Sequence, residues 1–296
     1  MLLELPDRVA EAKVLAARAL IAQLRAGGGV ENLHQAEFKV FSQFGDDGII
    51  QDLVQRTAIR PGECRFIEFG VENYEESNTR FLLVNDNWSG LVIDSDARYV
   101  RCIEDDPLFW RHDLTALCAF VDADNIDRLI ATAGFGGETG LLSIDMDGND
   151  YWVWQRIECV KPVIVVVEYN SLFGPEHAVS IPYDPAFRRQ AAHSSNLYWG
   201  CSLAALALLA GKKGYALVGS NSAGNNAYFV RRDRLSGLLE LAPGEAYVEA
   251  KFRESRDATG RLTFLSGLSR LAAIRDMPLQ DVTSGERVRI ADLYRV

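Results

Sequence analysis

The chain has 296 residues, 48% of them hydrophobic and 24% charged, which suits one large domain or one domain with an appendage. A formal net charge of -10 argues against a protein that embraces phosphate backbones, because that binding rests on clustered Lys and Arg. Nucleic acid is therefore not an expected partner.

In chain order, the first 30 residues place Val14, Leu15, Ala17, Leu20, Ile21 and Leu24 at helical spacing, interrupted by Arg8, Glu11, Lys13, Arg18 and Arg25. This predicts an amphipathic helix, one that can mediate a homo-oligomer. It lacks the unbroken apolar core of a signal peptide, and no run of roughly 18 apolar residues suggests a membrane span. A cytoplasmic location with no membrane partner is expected. The five cysteines are widely spaced with no C-x-x-C pair, so neither a zinc signature nor a disulfide framework is indicated.

A glycine break at Gly27 to Gly29 precedes "FSQFGDDGIIQDLVQRT", where Asp46 or Asp47 is placed to cap a helix carrying Ile49, Ile50 and Leu53. Short apolar runs then alternate with helical segments. "CRFIEFGV", "SGLVIDSD", "LLSID" and "PVIVVVEYN" read as strands, rich in Val and Ile and bounded by turn formers. The segments "ESNTRFLLVND", "ARYVRCIEDD", "ADNIDRLIATAG" and "DYWVWQRIECV" read as helices. Such alternation predicts a mostly parallel sheet with helices on both faces.

From residue 199, "GCSLAALALLAGKKG" predicts a helix ending at Gly214. "YALVGS" and "NAYFVRR", joined by "NSAGN", then form an antiparallel hairpin, because a parallel return needs a crossover. The expected fold is α/β: a Rossmann-like sheet, mostly parallel with a terminal antiparallel hairpin, and it resembles class I S-adenosylmethionine (SAM) dependent methyltransferases. The expected division is an N-terminal helix over 1–30, a SAM-binding domain over 31–241 and a C-terminal extension over 242–296. In that extension a hairpin, "YVEAKFRES" with "RLTFLSG", and a short helix are expected.

Ligands of open α/β sheets bind beyond the carboxyl ends of the strands. The first strand ends in Glu68 and Gly70, where a glycine lets the backbone approach a ligand. Glu72 and Tyr74 stand where G-x-G-x-x-G would have further glycines, so a pyrophosphate cradle is disfavoured. An acidic turn suits a cationic ligand such as SAM, with Glu68 orienting its methionyl part, or is simply a solvated loop. At the end of the second strand, Asp94 is the expected acceptor of ribose hydrogen bonds, with Asp96 second. Asp113, in "HDLTAL", either meets the adenine amino group or caps a helix.

Asp145, at the end of the fourth strand, with Glu168 and Asn170, at the end of the fifth, can supply oxygen ligands to a hard cation such as Mg²⁺. The spacing resembles that of metal-dependent O-methyltransferases such as catechol O-methyltransferase. The alternative is a turn over Asp147, Gly148, Asn149 and Asp150 that caps the following helix.

"SQFGDDGII", "FIEFGV", "GLVIDSD", "LLSIDMDGNDYWVWQRI" and "PVIVVVEYN", in this order over about residues 41 to 233, resemble the FkbM-like branch of SAM-dependent methyltransferases. The family's SQ-x-G-[EQ]-D segment reads here Ser42, Gln43, Gly45, Asp46 and Asp47, and its I-D-[VI]-[ED]-G segment reads Ile144, Asp145, Met146, Asp147 and Gly148, with Asp46 and Met146 departing from the pattern. The resemblance implies SAM as cofactor and O-methyl transfer to a small hydroxylated acceptor such as a sugar or sugar phosphate. The expected cofactor-binding set is Gln43, Glu68, Gly70, Asn78, Asp94, Ser95 and Asp113. Candidate catalytic residues are Asp145, His177 and His193, the histidines in the insert after the fifth strand. In the same insert Arg188 and Arg189 are placed to hold an anionic acceptor, and Tyr183, Tyr198 and Trp199 to stack on a sugar, unless they only pack the insert down. Two other readings stay open: a metal-dependent lyase or hydrolase on this fold, and a non-catalytic assembly module.

Overall fold

The computed structural model describes residues 5–27 and 30–295. Of the glycine break expected at 27–29, Gly28 and Gly29 lie outside the described residues. Seven strands form the main sheet: β1 (Arg65–Phe69), β2 (Ser89–Asp94), β3 (Leu114–Cys118), β4 (Gly137–Ile144), β5 (Val160–Glu168), β7 (Tyr215–Ser220) and β8 (Asn226–Arg231). Their order is β3-β2-β1-β4-β5-β8-β7, with β8 alone running antiparallel to its neighbours. This is the Rossmann-like class I methyltransferase sheet. A second, three-stranded sheet joins β6 (Val179–Ser180) of the insert to β9 (Pro278–Asp281) and β10 (Arg287–Arg289) of the C-terminal region.

Side chains alternate across the main sheet with the two-residue strand period. Ile67, Ile93, Leu142, Ile144, Val165 and Val167 face one core, closed by helices Ile126–Thr132, Asp150–Arg156 and Leu203–Lys213. Phe66, Val92, Leu141, Ile164 and Val166 face the other, closed by helices Asp46–Arg56 and Arg80–Asp86. The apolar run of β5 is thus buried on both faces. The N-terminal helix Leu5–Ala26 docks on its own chain through Val14, Ala17 and Ile21, against Val40 and Phe81. No helix among the described residues is long and apolar enough to cross a membrane.

Three expectations are corrected. "LTALC" is itself the third strand, and Asp113 precedes it: the Asp113 carbonyl accepts from Gly90 N, at the start of β2 (2.8 Å). Asp113 therefore stands at the amino end of the strands, opposite the ligand-binding edge. Helix Asp46–Arg56 has Gly45 at its N-cap, and no side chain caps it; Asp46 and Asp47 turn elsewhere. In the C-terminal region, 247–265 is irregular apart from one bridge, Arg256 to Leu262, and the hairpin is β9–β10 instead. Leu262 and Phe264 remain exposed and Phe252 packs on Phe44, so the alternation there has no sheet face to bury against.

Candidate functional site

The strand order reverses between β1 and β4, and three connecting cavities open at that edge. The first is a slot of about 100 Å³ walled by Phe69, Ile93, Val121, Met146 and Phe187, with Asp94, Ser95 and Asn149 as polar groups. Beside it lies an acidic chamber of about 250 Å³ bounded by Gln43, Glu68, Gly70, Asn78, Asp145, Glu168 and Arg189 among others. A third chamber of about 300 Å³ shares Gln43, Glu168, Arg189 and Asn225 with the second, and adds Trp199, Phe252, Arg253 and Arg270.

Gly70 joins slot to chamber at φ +72°; a Cβ there would stand 1.9 Å from the Asp145 carbonyl oxygen, so only glycine lets β1 and β4 leave the sheet side by side. Glu72 and Tyr74, which replace the further glycines, also have positive φ, +47° and +63°. The backbone keeps a glycine-like path without the glycines. Glu72 N donates to Asp94 Oδ2 (2.9 Å) and Asp96 N to Asp94 Oδ1 (2.8 Å), which fixes the carboxylate and leaves each oxygen one further acceptor position. Asp96 is spent as the N-cap of helix Ala97–Asp105.

Glu68 holds its own loop. Its carboxylate accepts from Ser77 Oγ (2.6 Å), Asn78 N (2.9 Å), Thr79 N (3.1 Å) and Thr79 Oγ1 (2.5 Å), and Asn78 Nδ2 ties the loop to Ser143 Oγ on β4 (3.1 Å). The "SQFGDD" segment has a similar logic. Asp47 Oδ2 gathers the amides of Val40, Phe41 and Ser42 (2.7 to 2.9 Å) and the Ser42 hydroxyl, while Asp46 Oδ1 accepts from Asn221, Asn226 and Tyr228. The two acids pin this segment to the sheet, and Gln43 is left projecting over both chambers.

Burial pushes Asp145 well above the usual carboxylate range, with the charges of Asp147 and Asp150 adding to it. Burial does the same to Glu168, with Asp145, Asp147 and Asp150 adding and Arg189 opposing. Glu168 Oε2 is buried without a donor. The two carboxyls thus hold a proton where a solvated pair would not, and a cation brought beside them would ionise them. Asp150 does not act as a helix cap: its oxygens accept from Met146 N (2.8 Å) and Gly148 N (3.0 Å), clamping the turn. Arg189 pairs with Asp147, donates through Nε to the Asn196 carbonyl (2.9 Å) and lies 4.7 Å over the Trp199 ring.

Several expected residues stand apart. His177 packs edge-on against Tyr294 (5.3 Å) and accepts at its carbonyl from Ser202 Oγ. His193 Nδ1 is engaged by Ser195 (Oγ 2.8 Å, N 3.2 Å). Neither lines the chambers. Tyr183 and Tyr198 are tied to the Ala123 amide and the Pro278 carbonyl, so of the three aromatic candidates Trp199 alone faces the third chamber. Asn170 donates to the carbonyls of Leu197 and Trp199 and accepts from Leu172 N. The Asn170 amide is thus committed within the protein, and of the expected trio Asp145, Glu168 and Asn170 the two carboxyls alone line the acidic chamber. Among the described residues no group of three His, Cys, Asp or Glu side chains is arranged to hold a metal. Arg270, Arg253 and Asn225 were not expected; they come from a polar tail and a hairpin turn with no local signal of a site.

No family model matches this sequence, and no curated protein does. Among solved structures the chain is similar to the N-terminal domain of EvdMO1 with SAH bound (13% identity, 64% of this chain and 80% of that one, TM-score 0.40). It is also similar to an O-methyltransferase from Bacillus cereus in complex with SAH (11%, 74% and 89%, TM-score 0.40). A third is the CurJ carbon methyltransferase (11%, 77% and 69%, TM-score 0.41).

Proposed function

We propose that this chain is a SAM-dependent O-methyltransferase acting on a hydroxyl of a sugar or other small metabolite, of the FkbM-like kind. The observation that carries the reading is the succession of cavities: an apolar slot with Asp94 at its wall, an acidic chamber, and a second chamber that shares Glu168. Their chemistry suits, in order, a nucleoside, a cationic amino-acid group and a hydroxylated acceptor.

SAM would supply an electrophilic methyl group on a sulfonium; the remaining work falls to the protein. The slot takes adenine between apolar walls, and Asp94 accepts from the ribose hydroxyls with the acceptor positions left to it. Asp145 and Glu168 offer negative charge to the sulfonium and amino groups. Glu168, bordering both chambers, is placed to take the proton of the acceptor hydroxyl as its oxygen attacks the methyl and the sulfur leaves with the bonding pair. Burial raises its affinity for protons above that of a solvated carboxylate, which suits a general base. Alignment of acceptor and methyl supplies the rest. A metal-dependent lyase or hydrolase has less support, because among the described residues no group of three His, Cys, Asp or Glu side chains is arranged to hold a metal.

Titration calorimetry with S-adenosylhomocysteine (SAH) tests this. Binding weakened about tenfold by Asp94→Asn, equivalent to ~1.4 kcal/mol, is expected. Absence of binding by SAM and SAH alike sinks the proposal.

A further inference from the structure

Resting on the methyl-transfer reading, we infer that the acceptor carries an anionic group, a carboxylate or phosphate on a monosaccharide-sized frame, held by Arg270 together with Arg189. Arg270 sits on helix Leu268–Ala273 of the C-terminal region and lines the third chamber. It is 8% exposed, yet among the described residues its guanidinium makes one hydrogen bond, a long 3.4 Å contact from Nη1 to the Ala250 carbonyl, and its buried Nε–H has no acceptor. Among the described residues no carboxylate comes within ion-pair distance of it; Glu249 acts on it from further away, and Arg189 repels it.

A guanidinium buried with an unmatched N–H is costly unless something completes it. Three guanidiniums line one cavity, those of Arg189, Arg253 and Arg270, and together they ask for an anion; Arg253 is tied through Nε and Nη2 to the Phe264 carbonyl, and the arginine fork of the other two matches carboxylate and phosphate oxygens in pairs. Arg189 is partly neutralised by Asp147 and Arg253 is exposed, so Arg270 brings the buried uncompensated charge. The cavity is also polarised: Glu168 lies where it meets the acidic chamber, whereas Arg270 belongs to the third chamber alone. An anionic acceptor is thereby turned with its charge away from the carboxyl pair and a hydroxyl toward Glu168. Glu254, on the same wall, opposes this pull, and Trp199 offers a flat face for a sugar ring.

The test compares glucuronate, glucose 6-phosphate and glucose as calorimetric ligands of the wild type, Arg270→Gln and Arg270→Lys. Expected is binding of at least one charged sugar about tenfold or more tighter than glucose. That preference should collapse in Arg270→Gln and be partly kept in Arg270→Lys, and whichever charged sugar wins separates carboxylate from phosphate. Charged sugars binding no tighter than glucose to the wild type, absence of binding by all three included, overturns the inference whether or not the variants fold. So does a preference that survives Arg270→Gln. SAH titrated on the wild type is a separate readout: its failure sinks the methyl-transfer reading and leaves the charge preference to be judged by itself.

Discussion

Glu72 has its side chain in solvent and its backbone at φ +47°, a region that costs a non-glycine residue about 1–2 kcal/mol. What holds it there is the hydrogen bond from its amide to Asp94, the residue assigned to the ribose. Glu72→Gly should therefore stabilise the fold by roughly 0.5–1 kcal/mol, relief of strain being partly offset by the freer unfolded chain. Urea unfolding reads this directly, and a destabilised variant would mean that the Glu72 side chain makes up for its backbone. The carboxyl pair gives a second prediction. Because Asp145 and Glu168 are both pushed up, by burial first and neighbouring negative charges second, they ionise more fully as pH rises, and only the ionised pair favours a sulfonium. SAM affinity should rise with pH, above the range where an ordinary carboxylate titrates, more steeply than that of SAH, which has no sulfonium charge. Asp145→Asn should flatten the difference; parallel pH profiles for both ligands would remove the pair from the methionyl site. At this scale Gly70 and Asp94 were legible because strand-end position alone selects them. His177, His193 and Asn170 were not: whether a loop side chain faces a cleft depends on contacts with residues a hundred or so positions away, as Tyr294 does for His177.

The segment 40–47 acts as a unit with helix Asp46–Arg56, because Asp47 Oδ2 takes three backbone amides and a hydroxyl while Oδ1 is buried without a partner. Burial outweighs those hydrogen bonds and lifts the Asp47 pKa to about 6, against roughly 3.9 in the unfolded chain. The native state thus binds this proton more tightly. The stability it confers is complete below about pH 4 and is lost as pH rises through about 6, on the order of 3 kcal/mol for a shift of this size. Asp47→Asn, which cannot ionise, should lose less stability than the wild type between pH 4 and 7; urea midpoints falling in parallel would show that Asp47 titrates normally. The acids of "SQFGDD" were visible as a motif, but their role as anchors for Gln43 was not, since Asp46 Oδ1 is held by Asn221, Asn226 and Tyr228, about 180 residues later in the chain. Periodicity found β1, β2, β4, β5 and the β7–β8 pair because each has a buried face. It misplaced the C-terminal hairpin because "YVEAKFRES" alternates without a sheet face to cover, whereas β9 is fixed by pairing with β6, a hundred residues earlier.

Across the whole molecule, the C-terminal region and the insert share one core, although the sequence suggests an extension beginning at 242. Leu271, Ile274, Leu279 and Ile290 pack with Phe173, Val179, Ile181, Leu197 and Tyr198. Tyrosine hydroxyls cross the same boundary, Tyr198 to the Pro278 carbonyl (2.5 Å), Tyr247 to Ser171 (2.8 Å) and Tyr294 to Phe173 (2.6 Å). Ending the chain at 241 would strip four buried apolar side chains from that core. At about 1.5–3 kcal/mol each, this is roughly 6–12 kcal/mol, as large as the whole stability of a typical domain. It would also remove β9, the strand that pairs with β6, with β10 beyond it, and the wall that carries Arg270. The shortened chain should therefore fail to unfold cooperatively in urea and should bind a hydrophobic dye, rather than persist as a SAM-binding domain that has lost only its acceptor. If instead it kept the wild-type urea midpoint and bound SAH, the main sheet would be self-sufficient. The C-terminal region would then be a detachable wall of the acceptor chamber, and changes in acceptor specificity could be sought there without risk to the fold.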